Sequence, residues 1–487
     1  MKKSTILFLF LKFYRLLWLA ALPILRKNRR LREGIKERTS SEHFKMADIW
    51  IQAASAGECN LAVQIARTLC HDSSICFKNP KEILITSTTS QGFEILNQNF
   101  SELSASTINI AVNIDNSNSN LSKFNSSESP NISNHYNSNP DNIYKSTPYK
   151  ISKSTNIKQI TWFPFDIPDL MENVICKVKP SIVVLLETEL WPSLLSAAKK
   201  YGVKVVVING RMSAKSHRNY TLTKWLWNKI EPYAVVAISD TDAQRFKDIF
   251  PNSIVDVMPN IKFDSIYPDD ISNTDSAKNT KEIIDILPAG IRFSILASVR
   301  KEEEEDAIEI ITQILKKFPN QVVGLFPRHT HRVNNWQKRL SDTAHKWQLA
   351  SEIYKSKKPA ESGTVILWDR FGELKRAYSF ATVAFVGGSL KPLGGHNFIE
   401  PLTSGAVTVT GQYVDDFAWA GDEIFSHNIV KKADDCGCVA DFMVKILKNP
   451  PDRQDVLKKA VDYIEKKQGG TEIACNTITT ILQTMDR

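Results

Sequence analysis

A chain of 487 residues is too long for one ordinary hydrophobic core, so two domains are expected. With 42% apolar and 24% charged residues it is globular in composition, which excludes collagen-like and wholly disordered classes. The net charge of +9 is concentrated at one end: up to Arg38, eleven Lys and Arg face only Glu33 and Glu37, which is the whole excess and excludes a basic nucleic-acid groove in the remainder.

The first element is apolar, Thr5–Leu25 (TILFLFLKFYRLLWLAALPIL), and long enough to span a bilayer. Lys12 and Arg15 interrupt it three residues apart and share one helical face. A charge at mid-bilayer costs about 2.5–3.5 kcal/mol, which favours a helix lying in the interface over a tilted span. The basic run RKNRRLR after it suits anionic lipid. A cleavable signal peptide fits poorly, because Lys12 breaks the apolar run and no A-x-A site follows. The seven cysteines form no CxxC pair, so neither a zinc site nor a disulfide framework is expected, and free thiols suit a reducing compartment.

Beyond this segment, short apolar, β-branched runs alternate with helix-compatible stretches. Strands are expected at 48–54, 82–86, 181–187, 203–209 and 234–239, and again at 293–299, 321–327, 364–368, 381–387 and 406–411. This pattern reads as two parallel sheets, each covered by helices on both faces. The polar stretch between Asp264 and Lys281 is the expected linker. Residues 101–157 are dominated by Asn and Ser and are read as a disordered insertion in the first domain.

Several strand ends carry groups suited to chemistry. After the first strand, Ser55-Ala56-Gly57 forms a small-residue turn and Glu58 opens a helix. A carboxylate there faces the crevice where open α/β sheets bind ligands and suits a general base; a helix-start glutamate favoured by the macrodipole is the competing reading. Glu187 ends an apolar strand, with Glu189 and Trp191-Pro192 following. It reads either as a functional acid or as an ion-paired strand end. Arg211 and Ser213 follow the next strand, in what reads first as a polar loop. Pro327, Arg328 and His329 close a strand in the second half, where the cation suits a phosphate or carboxylate. The HxH spacing of His329 and His331 lacks further partners, so no metal is expected. Phe371, Gly372 and Glu373 lead into a helix start. The paired glycines of FVGGSLKPLGGHNFIEP allow close backbone approach to phosphate, and Asn397 and Glu400 are spaced to share a grip on ribose hydroxyls. Glu302–Asp306 reads as a solvated helix start.

Taken in order, SAGE (55–58), ETELWP (187–192), PRH (327–329), GEL (372–374) and GGHNFIEP (394–401) resemble the Kdo transferases, which attach 3-deoxy-D-manno-octulosonic acid to the lipid A precursor at the inner membrane of Gram-negative bacteria. The resemblance spans nearly the whole chain except 101–157. It implies an α/β GT-B fold of two doubly wound Rossmann-like domains facing across a cleft. Residues 1–38 would form the anchor and basic segment, 39–265 the acceptor domain, and 266–487 the domain for the donor, CMP-Kdo. Glu58 matches the base of an inverting transfer, while Glu187 and Lys262 match positions that stabilise the transition state. Pro327, Arg328, Phe371, Gly372, Glu373, Asn397, Phe398, Ile399 and Glu400 match CMP-binding positions.

The implied enzyme needs no metal and no cofactor beyond its donor substrate. It works on the cytoplasmic side of the inner membrane, meeting lipid A precursor and anionic lipids but no nucleic acid. Three positions depart from the family pattern: Ser298-Val299-Arg300 stands for Ser-Thr-His, Thr382 for Asp, and Gln52 for His. A GT-B enzyme using another nucleotide sugar and an inactive membrane-tethered binding module are the alternatives.

Overall fold

The computed structural model describes residues 3–25, 27, 33–71, 81–99, 155–266 and 283–485. Most of the basic run 26–32, residues 101–154 of the Asn/Ser-rich segment and most of the linker therefore lie outside the described residues. The chain forms two compact units, Met1–Lys262 with Gly469–Arg487, and Phe263–Gln468.

The first unit is built on seven parallel strands: β1 (Ile49–Ala53), β2 (Lys81–Ser87), β3 (Thr155–Trp162), β4 (Ile182–Leu186), β5 (Lys204–Gly210), β6 (Ala234–Ala237) and β7 (Ile254–Val257), in the order β3-β2-β1-β4-β5-β6-β7. Alternate side chains leave opposite faces, and both faces are covered. Ile49, Ile51, Ile182, Val184 and Ile208 pack under the helix Ala56–His71 and the helix Gly470–Met485. Trp50, Val183, Leu185 and Val207 pack under the helices Pro168–Val178 and Pro192–Lys200. Burial on both sides is why these strands are continuous apolar runs.

The helix Gly470–Met485 belongs to this first sheet and not to the second domain, where chain order had placed it. Its apolar residues Ala474, Ile478 and Leu482 recur at helical spacing and complete one face of the core. Gly470 allows the close approach, since a Cβ there would lie 2.4 Å from the Pro259 carbonyl oxygen.

The second unit repeats the plan with β8 (Phe293–Val299), β9 (Val322–Pro327), β10 (Lys346–Leu349), β11 (Thr364–Leu367), β12 (Ala381–Val386), β13 (Val407–Thr410) and β14 (Val430–Lys432), ordered β10-β11-β9-β8-β12-β13-β14. The α/β class and the two doubly wound Rossmann-like units of a GT-B chain are thus as expected. All ten expected strands are present. Thr155–Ile157, read as part of the insertion, instead begins strand β3.

The N-terminal helix runs from Lys3 to Leu25, and its stretch Ile6–Leu25 is long and apolar enough to cross a membrane. Leu7 and Phe10 pack against the first unit's core, and Tyr14 and Trp18 continue the same stripe. Leu9, Phe13, Leu16 and Leu17, on the other side, are exposed.

Candidate active site

In each sheet the chain direction reverses beside the first strand: β2 and β4 flank β1, and β9 and β12 flank β8. Such switch points open a crevice beyond the carboxyl ends of the strands, where doubly wound sheets bind ligands. The expected site residues of the first unit stand at its switch point.

Glu58 lies in the first turn of the helix that follows β1. Its Oε2 accepts from the backbone N–H of Ala54 at 2.5 Å and of Ser55 at 3.2 Å, while the Glu58 N–H donates to Ser55 Oγ at 3.3 Å. This is a capping box formed by Ser55 and Glu58, so the helix-start reading is correct as geometry. It does not exhaust the carboxylate, because no hydrogen bond among the described residues reaches Oε1. The side chain is only 8% exposed. Burial raises its pKa above the usual carboxylate range, and the negative charge of Glu187 raises it further.

Glu187 follows β4, the neighbouring strand, and adopts a left-handed backbone with φ 57°. Its Oε1 accepts from Lys262 Nζ at 2.7 Å. Asn209, at the end of β5, is left-handed too, at φ 58°. Non-glycine residues at positive φ are costly and cluster where function over-determines the backbone. Asn209 is buried; its Oδ1 accepts from the Ile261 N–H at 3.0 Å, which fixes the start of the turn carrying Lys262, while its Nδ2 has no partner. Glu189 accepts from Trp191 Nε1 at 3.0 Å, and burial, then Glu58, then Glu187, push its carboxyl up to about 7. Three acids with one lysine thus share the switch point. Gln52, the departure from His, is held in a buried chain: Thr86 Oγ1 donates to its Oε1 at 2.6 Å, and its Nε2 donates to Thr88 Oγ1 at 3.0 Å.

At the second unit's switch point, Ser298 at the end of β8 is left-handed (φ 53°), and Val299, where the resemblance implies a threonine, packs in the core. Arg300 caps the next helical turn. Glu303 corrects the solvated reading of the acidic run, for it is 0% exposed and accepts from the N–H groups of Arg300 (3.1 Å), Gly388 (2.6 Å) and Leu390 (2.9 Å). It therefore ties the Gly387-Gly388 loop to the end of β8. Glu304 is buried as well, paired with Arg332 and Arg339. Asp306 bonds Lys391.

Pro327 ends β9 and Arg328 is exposed just beyond it. His396 touches the same neighbourhood: burial, then Arg328, Arg300 and His329, drive its pKa down to about 4. Gly388 (φ 73°) must lack a side chain there, since a Cβ would press on the His396 ring at 3.0 Å. These cations beside a glycine loop can hold an anion. Asn397 Nδ2 donates to Glu400 Oε1 at 2.9 Å, so those two side chains do act together.

Not every expected residue offers its side chain. Phe398 and Ile399 are buried in a small core cluster, leaving only their backbone for a ligand. The Glu373 carboxylate is already taken by Trp368 Nε1 (2.8 Å), the Tyr354 hydroxyl (3.3 Å) and Arg370 (2.7 Å). Phe371, by contrast, is 91% exposed, beside Gly372 at φ 85°.

Residues 27–120 and 145–265 match the family of 3-deoxy-D-manno-octulosonic-acid (Kdo) transferases. A Kdo transferase from Haemophilus influenzae is 29% identical over 261 residues, 53% of this chain and 59% of that one. One from Bordetella pertussis is 28% identical over 330 residues, 64% and 72% of the respective chains. A bifunctional glycosyltransferase/methyltransferase from Fusobacterium nucleatum is 27% identical over 274 residues, 56% of this chain and 41% of its own length. The match thus spans about half the length of the first two of these relatives to be compared, the Fusobacterium and Haemophilus proteins.

Two outcomes follow from the first switch point. Lys262→Met leaves the Glu187 carboxylate without its ion pair, and is expected to lower turnover roughly ten- to a hundredfold, as loss of one partner of a part-buried pair does; steady-state kinetics would reveal it. The second concerns pH. Only unprotonated Glu58 can accept a proton, so activity should rise as pH climbs through its raised pKa. Glu187→Gln removes a repelling charge, stabilises ionised Glu58 and should move the acid limb of kcat/KM to lower pH. An unmoved limb would mean that Glu187 does not act on Glu58.

Proposed function

We propose that this chain transfers Kdo from CMP-Kdo to the lipid A precursor with inversion at the anomeric carbon, at the cytoplasmic face of the inner membrane. Glu58 is the base. Its Oε1 takes the proton of the acceptor hydroxyl as that oxygen bonds to the anomeric carbon. The bond from that carbon to the CMP phosphate breaks, and the electron pair leaves with the phosphate. The carboxylate of Glu187, held by Lys262, stabilises the positive charge that develops on the sugar. Arg328, with the helix-start and loop N–H groups around Gly372 and Asn397, takes the nucleotide phosphate and ribose. These protein groups carry the leaving-group charge, so the reaction runs without a metal or cofactor. The apolar helix Lys3–Leu25 attaches the enzyme where its lipid acceptor resides.

The observation that carries this reading is the Glu58 carboxylate: two backbone amides fix one oxygen, the other is left open, and the group sits buried at the switch point. The test is incubation of the purified full chain with CMP-Kdo and tetra-acylated lipid A precursor, followed by mass analysis of the lipid. A mass gain of one or more Kdo units is expected, with CMP a stronger competitor than UDP. Competition by UDP alone, or an unmodified lipid, would refute the assignment.

A further inference from the structure

The N-terminal helix reaches the acidic switch point through one intermediary. The Trp18 ring lies 5.3 Å from that of Phe165, tilted by 32°, Arg15 Nη2 lies 2.9 Å from Asp169 Oδ2, and the Tyr14 side chain lies beside Asp166. Arg15 meets the first turn of the helix Pro168–Val178, and Trp18 and Tyr14 meet the turn between β3 and that helix. Asp166 in that turn is wholly buried. Its Oδ2 accepts from the Ser193 N–H and its Oδ1 from the Leu194 N–H, each at 2.9 Å, and its carbonyl accepts from Ser193 Oγ at 2.7 Å. Asp166 therefore caps the helix Pro192–Lys200, whose own N-cap residue, Trp191, makes no side-chain cap. The segment entering that helix is Glu187–Trp191. The Phe163 ring, just before the turn, lies 5.2 Å from that of Trp191, tilted by 40°.

We propose that the N-terminal helix is a positioning element of the acidic site as well as a membrane attachment: docked through Tyr14, Arg15 and Trp18, it holds the Asp166 turn and thereby the Glu187–Trp191 segment in place. The inference rests on the transferase reading given above. Tyr14 and Asp166 touch no reacting atom and act as positioning residues. A buried carboxylate that caps a helix must keep its donors, or it turns toward new ones. A shift of about 1 Å in a reacting group costs about a hundredfold in rate.

The test uses the full chain in detergent, with CMP-Kdo and detergent-dispersed lipid A precursor, so that membrane partition does not limit the rate. Tyr14→Phe/Arg15→Gln removes the Arg15–Asp169 ion pair and the hydroxyl beside Asp166 and keeps the aromatic ring. It is expected to lower kcat tenfold or more, with the KM for CMP-Kdo and sedimentation with anionic phospholipid vesicles unchanged. Leu7→Ala loosens the same helix where it packs on the first unit's core, two turns before Tyr14. It should lower the melting temperature while leaving kcat per folded molecule unchanged. Leu17→Ser, on the exposed face, should weaken vesicle binding alone. Wild-type kcat in the Tyr14/Arg15 variant, or an equal fall in Leu7→Ala, overturns the positioning role. An active Glu58→Ala enzyme in the same assay overturns the transferase site itself, which keeps the two failures apart.

Discussion

Glu58→Gln is expected to abolish sugar transfer while the protein still folds and still binds CMP. The amide keeps one oxygen to accept from the Ala54 and Ser55 N–H groups, so the capping box and the helix behind it survive. What disappears is the open carboxylate oxygen. General-base catalysis is worth about 10²–10⁴-fold, and the loss in kcat should fall in that range. A mere capping role predicts little change in either rate or melting temperature, because the amide preserves the cap. Thermal melting and single-turnover kinetics on the same preparation separate the two, and near-normal turnover would remove Glu58 from the chemistry.

The second large effect belongs to Glu303→Ala. Its carboxylate gathers the N–H groups of Arg300, Gly388 and Leu390, joining the end of β8 to the glycine loop after β12. Truncation strands buried amides at about 1–3 kcal/mol each, so the second unit should melt well below the wild type. The molecules that remain folded should bind CMP at least tenfold more weakly, because the loop beside Arg328 and His396 loses its frame. Calorimetric titration with CMP at low temperature checks this. Unchanged affinity in folded Glu303→Ala would mean that the glycine loop is not part of the nucleotide site.

The two effects also mark what the sequence could and could not convey. Strands buried on both faces were legible because their apolar runs are continuous. The four strands not anticipated, β3, β7, β10 and β14, are the four sheet edges. An edge strand has one neighbour and more solvent, so its residues need not be apolar: Ile254–Val257 and Lys346–Leu349 are largely exposed or half-buried. Glu58 and Glu187 were singled out by strand-end motifs, and Lys262 by the resemblance alone. Glu303 was not, because a run of five acids carries no sign of which one turns inward. Its partners Gly388 and Leu390 lie 85 and 87 residues away. Asp166 was hidden for the same reason, its capped amides being 27 and 28 residues distant. Local pattern reports periodicity and turns; it is silent on long-range satisfaction of a buried charge.

The helix Gly470–Met485 has a bearing on biogenesis. The contiguous segment Phe263–Gln468 can collapse as soon as it leaves the ribosome, whereas the sheet that began with β1 waits for a helix translated more than four hundred residues later. Until then the face lined by Ile51, Val184 and Ile208 is covered only in part, by the helix Ala56–His71, and its open portion is a ready target for chaperones. The first sheet is therefore left unfinished until synthesis has passed the second unit.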